Sequence, residues 1–188
     1  MENAVKVYID PQSGEKLKIY QDFCPENPRS WDNLGSFVVP ERCRYADSEY
    51  DAGLEYDSRD ADEKRLSKNP DIVCFLPLYV YDHSGIAMNT TGFSCPWDSG
   101  QIGYIVVTRE RLKSAFPSWR RVSRSRRALL EAYLRSEVQT SADYLEGNVY
   151  GFIVEDENGE EMDSCWGYYG DAGIKAIEED HPEFKEAI

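Results

Sequence analysis

Asn158-Gly159 sits between two runs of β-forming side chains, residues 149–157 and 160–169, and commits that stretch to antiparallel structure. Both positions of an Asn-Gly pair tolerate positive φ, which matches the twist of two hairpin strands. Side chains alternate along a strand, so Tyr150, Phe152 and Val154 are expected on one face of the first arm. Met162, Trp166 and Tyr168 are expected on one face of the second.

Other elements follow from period and punctuation. Residues 5–9 alternate and end at Pro11, with Ser13-Gly14 as a turn and 16–20 as the returning strand. Residues 72–81 read as a central strand, with Pro77 marking a bulge or an edge. Residues 102–108 read as a strand whose Thr108 caps a helix that Pro117 ends. Leu130, Leu134 and Val138 recur every four residues and predict a helix over 123–139. Thr140 and Asp143 have capping-box spacing before a short helix ending at Gly147. A last acidic helix is expected over 174–188. The fold class expected is α+β: a mainly antiparallel sheet from strands near 5–9, 72–81, 102–108 and 149–169, packed by the 123–139 helix. At 188 residues one compact domain, 1–188, is expected, with a polar acidic connection around 45–71.

Charge narrows the functional classes. The chain carries 21 Lys and Arg against 35 Asp and Glu, a formal net charge of −14. That balance disfavours an electrostatic grip on nucleic acid or on an anionic membrane, since both need clustered cations. The excess is uneven. Residues 141–188 hold 14 acidic and 2 basic groups, whereas 111–140 hold 8 basic and 2 acidic. No secretory signal is expected, because the first six residues lack a basic start followed by an apolar stretch. The apolar run 72–81 is too short to cross a bilayer as a helix. The five cysteines, Cys24, Cys43, Cys74, Cys95 and Cys165, include no C-x-x-C pair, so reduced thiols in a cytoplasm are expected.

Three residue groups are candidates for chemistry or binding. Cys95 and His83, with Asp98 to orient the imidazole, are the catalytic candidates for a thiol enzyme. The alternative reading of Cys95-Pro96-Trp97 is a rigid loop packed on the sheet. Arg120, Arg124 and Arg127 recur with Glu131 and Arg135 at helical spacing. They form a candidate surface for the phosphates of RNA or DNA, as in a regulatory nucleic-acid-binding protein, or for an acidic partner, or else a solvated face satisfied by the chain's own carboxylates. Glu155, Asp156, Glu157, Glu160, Glu161 and Asp163 are held together by the hairpin and form a candidate partner-binding surface. The 47–63 stretch is a second, less ordered acidic surface. Asp57, Asp60 and Asp62 are its tightest cluster, but no metal site and no cofactor is expected. Phosphate-loop, dinucleotide-binding, zinc-protease and nucleophile-elbow motifs do not occur.

Five segments taken together resemble a family of small proteins of bacteriophages and integrated mobile elements. They are Ser30-Trp31-Asp32-Asn33-Leu34-Gly35, Leu78-Tyr79-Val80-Tyr81-Asp82-His83-Ser84-Gly85, Cys95-Pro96-Trp97-Asp98-Ser99-Gly100-Gln101-Ile102-Gly103-Tyr104, Val149-Tyr150-Gly151-Phe152 and Asp163-Ser164-Cys165-Trp166-Gly167-Tyr168-Tyr169-Gly170. The resemblance covers roughly residues 29–171 and brings a genomic context but no active site. It implies an inhibitor of a host defence protein in the cytoplasm of a bacterial host cell, with a CRISPR nuclease favoured over a restriction enzyme. Carboxylates on a stiff surface can then imitate the charge of nucleic acid. On this reading direct nucleic-acid and membrane binding are not expected, and a second copy of the chain is a further candidate partner.

Overall fold

A computed structural model describes residues 4–39, 52–54, 58–83 and 85–187. Its helices and antiparallel strands make an α+β fold. Where the sequence points to one sheet, the strands form two, each in its own compact unit.

The first unit comprises Met1–Pro28 and Asp143–Ile188. Its strands are β1 (Lys6–Ile9), β2 (Lys16–Gln21), β7 (Val149–Glu155), β8 (Glu161–Tyr169) and β9 (Lys185–Glu186), in the order β8-β7-β2-β1-β9. The β1–β2 turn is closed by Asp10, whose carboxylate accepts from the Gln12 and Ser13 amides, and by Gly14 at φ +77°. Tyr8, Leu17, Ile19, Phe152 and Val154 point to one face. There they pack with Ile174 and Ile177 of α4 (Gly170–Asp180) and with Phe184. The final helix therefore starts and stops earlier than expected, and the chain returns as β9 against β1.

One expected face is wrong. Tyr168 pairs with Tyr150 and packs on the core, but Trp166 pairs with Gly151 on the opposite side. The reason is Gly167, an extra residue at φ +85° that shifts the register and reverses which way the following side chain points.

The second unit is Arg29–Ala142. Its sheet, β3-β6-β4-β5, uses β3 (Ser36–Val38), β4 (Ile72–Asp82), β5 (Ile86–Asn89) and β6 (Ser99–Thr108). β5 pairs only with residues 79–82 of β4, so at Pro77 the strand has a neighbour on one side, β6, and needs no second ladder. Along β6, Tyr104 and Val106 pack with Leu66 of α1 (Arg59–Lys68). Ile105 faces the other way, beside Leu134 of α3 (Arg124–Glu146), where a Cβ on Gly35 would meet both side chains.

Helix boundaries follow the caps. Ser58 caps α1 by accepting from the Ala61 amide, and Asp60 and Asp62 sit in its first turn. Thr108 caps α2 (Arg109–Ala115) as expected, accepting from the Arg111 amide. The capping box at Thr140 does not form. The Thr140 hydroxyl donates back to the Ser136 carbonyl, and α3 runs on without a break.

Candidate functional site

The hairpin carries the expected acidic side chains, in a different turn from the one expected. β7 ends at Glu155 and β8 begins at Glu161. The Gly159 amide donates to the Asp156 carbonyl at 3.1 Å, the Asp156 amide to the Glu160 carbonyl at 2.9 Å, and Gly159 has φ +84°. This is a three-residue loop with a glycine bulge, not a two-residue Asn-Gly turn.

The six carboxylates divide by what they touch. Asp156 is structural: one oxygen accepts from the Asn158 and Glu160 amides, both at 2.8 Å, and the other from the Asn158 side chain at 3.0 Å. Those bonds, led by the one from Glu160, hold its carboxyl below the usual Asp value. Glu155 pairs across the sheet with Lys18 at 2.6 Å and raises the lysine's pKa. Asp163 accepts from the Ser164 amide, and Glu161 from the Ser164 hydroxyl. Glu157, Glu160, Glu161 and Asp163 are exposed. Tyr168 lies behind them on β8, its hydroxyl pushed up to about 12 by burial and then by Cys165.

Dividing the sequence by unit gives an uneven charge. The first unit holds 19 acidic and 5 basic side chains, so it carries the whole −14. The second holds 16 of each. The part of the 47–63 acidic stretch at 47–51 and 55–57 lies outside the described residues. Of the rest, Asp60 and Glu63 are exposed but Asp62 is 4% exposed. Among the described residues no group of three or more His, Cys, Asp or Glu could hold a metal ion. Among them also, no helix is long and apolar enough to cross a membrane.

Cys95, Asp98 and His83 do come together, in the loops that join β4, β5 and β6. The Asp82 amide donates to the Asp98 carbonyl at 2.9 Å and ties the β4 end to the β6 approach. The Ser99 hydroxyl donates to the Cys95 carbonyl and folds the Cys-Pro-Trp-Asp turn. The Cys95 thiol donates to Asp98 Oδ2 at 3.5 Å, and His83 Nδ1 lies 3.5 Å from the same oxygen. The carboxylate thus stands between thiol and imidazole. In a nucleophile pair the imidazole would take the thiol proton directly. The loop reading also needs correction: Trp97 does not pack on the sheet but is 91% exposed. Cys24, Cys74, Cys95 and Cys165 are free thiols. His181 packs its ring on Phe152 and Phe184 and belongs to the core of its unit.

The arginines are not one helical face. Arg120 precedes α3, whereas Arg124 and Arg127 lie in its first turn. Arg127 donates to the Val73 carbonyl at 3.0 Å, and among the described residues Glu131 pairs with Arg135, at 3.3 Å. Arg120 and Arg124 are exposed.

Sequence reasoning missed Glu137, which reads as one more polar position on a helix. Its carboxylate accepts from the Leu34 amide at 2.7 Å and the Gly35 amide at 3.0 Å, with Arg29 at 3.5 Å. Burial pushes this carboxyl up, against the lowering effect of those partners. Trp31, in the same loop, is 41% exposed.

Comparison with models of known protein families, with curated proteins and with solved structures finds no match.

Proposed function

We propose that this chain is a non-enzymatic inhibitor that binds a host defence nuclease, a CRISPR effector ahead of a restriction enzyme, by presenting carboxylates to a basic nucleic-acid groove. The observation that carries this reading is the confinement of the whole charge excess to one unit. In that unit a β-hairpin with a hydrogen-bonded turn holds Glu157, Glu160, Glu161 and Asp163 outward. Charge fixed on a stiff scaffold meets a basic groove without ordering first, which favours fast and specific association. The phage and mobile-element resemblance supplies the class of partner.

The test is capture of purified CRISPR effectors and restriction nucleases, with cleavage assayed on each complex. Inhibition that weakens with salt, survives Cys95→Ala and falls at least tenfold in Glu160→Lys/Glu161→Lys is expected. Inhibition unchanged by the double charge reversal removes the hairpin from the mechanism.

A thiol enzyme is the second reading, favoured by the convergence of Cys95, Asp98 and His83. It requires preferential alkylation of Cys95 over exposed Cys24 and Cys165 in the folded protein. Equal or slower modification of Cys95, read by peptide mass spectrometry, would eliminate it.

A further inference from the structure

At its N-terminus α3 is charged against its own dipole, unlike α1, α2 and α4. The first turns of α1, α2 and α4 carry Asp60 and Asp62, Glu110, and Asp171. That of α3 carries Arg124, Arg126 and Arg127 with no acidic residue. Cations at a helix start cost stability, typically about 0.3–1 kcal/mol each. A local rule broken in one element and kept in its neighbours marks a place where something other than folding selects the residues.

The chain leading into α3 is built to hold these cations outward. The Phe116 and Trp119 rings stack at 4.2 Å, and the Arg126 guanidinium lies 4.7 Å above the Trp119 ring. Arg126 also donates to the Arg121 carbonyl at 2.7 Å, which fixes the 119–126 turn. With Arg126 and Arg127 occupied in this way, Arg120, Arg121 and Arg124 remain. All three are exposed, and their guanidinium groups make no hydrogen bond or ion pair within the described residues. Ser123 and Ser125, also exposed, flank Arg124 in sequence, with their hydroxyls hydrogen-bonded to each other at 2.9 Å.

We propose that Arg120, Arg121 and Arg124 bind the phosphodiester backbone of a nucleic acid. Guanidinium groups with interspersed hydroxyls are the donors that phosphate oxygens most often meet, and the 120–127 run contains five Arg and no Lys. Trp119 is already engaged by the Phe116 ring and the Arg126 guanidinium, so the contacts assigned here are to the backbone and carry no sequence readout. The whole-chain charge that disfavours such binding resides in the other unit, and the unit that carries the arginines is balanced. This inference does not rest on the inhibitor reading.

Fluorescence anisotropy of the intact chain with labelled 20-nucleotide RNA, 20-nucleotide DNA and a 20-base-pair DNA duplex tests it. Binding in the non-specific range, about 10⁻⁴–10⁻⁶ M, is expected with at least one of the three, and the three arms identify the form preferred. Three neutralised phosphates give a log–log salt slope of about −2.7 on duplex, or about a 40-fold loss between 50 and 200 mM salt. Arg120→Glu/Arg121→Glu/Arg124→Glu should lose binding at least tenfold. The triple Lys variant at the same positions should stay within a few fold of wild type. The control Lys64→Glu/Lys68→Glu/Lys175→Glu changes net charge equally and should also stay within a few fold. Absence of binding to all three oligonucleotides overturns the proposal. So does equal loss in the control, or binding of poly-glutamate with none of the nucleic acids, which would mark an acidic protein as the partner.

Discussion

Glu137→Gln tests the latch between the 29–35 loop and α3. In the wild type each carboxylate oxygen serves a different backbone amide, Leu34 at 2.7 Å and Gly35 at 3.0 Å. Glutamine keeps one acceptor oxygen and turns an NH2 toward the other amide, leaving a donor against a donor. A buried donor without an acceptor costs about 1–3 kcal/mol. For a chain of this size each kcal/mol moves the midpoint by about 2–4 °C, so a loss of about 2 kcal/mol lowers Tm by about 4–8 °C. Glu137→Ala strips both amides of their acceptor and should cost more, about 2–5 kcal/mol. The pH dependence has a defined sign. Burial raises the native carboxyl above its unfolded value. In the window between the two values the native state holds a proton that the unfolded chain has released. Stability therefore falls as pH rises through that window and is level above it. Glu137→Gln lacks this slope, so its deficit against wild type is largest in acid and shrinks toward neutral pH. Thermal melts from pH 4 to 8 measure both effects. A midpoint within about 1 °C of wild type at pH 7, or a deficit that grows with pH, refutes the reasoning.

Gly103→Ala would drive a methyl into the Val38 carbonyl of the paired strand β3, which cannot rotate away, and should cost about 3 kcal/mol or more in urea unfolding; an unchanged midpoint would count against the β3–β6 register. Gly151→Ala drives a methyl into the Trp166 ring and the Cys165 carbonyl of the paired strand β8, so a loss of about 1–3 kcal/mol is expected with a shift in tryptophan emission; an unchanged midpoint would count against the β7–β8 register. The Asp156 carboxyl should titrate below the usual Asp range by NMR, with turn order present above its unfolded value and lost as pH falls through its native one. An ordinary titration would show that its hydrogen bonds do not persist in solution.

What was readable in the sequence was local. Thr108 before a helix and the two arms around Asn158-Gly159 each place their cause within a few residues of their effect. The division into two sheets was not readable, because β2 pairs with β7 across some 130 residues of chain and no local pattern selects that partner. The start of α4 was misplaced for a related reason: Tyr169 precedes it without a side-chain cap, so no Ser, Thr, Asp or Asn announces it. The bulge at Gly167 hid the true face of Trp166, since a one-residue insertion reverses parity and a period-two reading assumes none. At the candidate sites, the approach of Asp98 to both Cys95 and His83 was anticipated by residue type, but the order of the three groups was not. Glu137 was invisible because a carboxylate on a helix face reads as solvated until the loop that folds over it is known.

The −14 of the whole chain is a poor guide to what any one surface attracts. Exposed charges more than a Debye length apart, about 8 Å at physiological salt, are largely screened from each other. A partner therefore responds to the charges close to where it docks. The hairpin belongs to a unit with 19 acidic against 5 basic groups, and the Arg120–Arg124 surface to a unit with 16 of each. Their effects should be separable in the same protein. Charge reversal at Glu160 and Glu161 should weaken capture of a basic protein and leave oligonucleotide binding unchanged or slightly stronger. Reversal at Arg120, Arg121 and Arg124 should do the converse. If either variant abolished both activities, the division of charge by unit would lose its functional meaning.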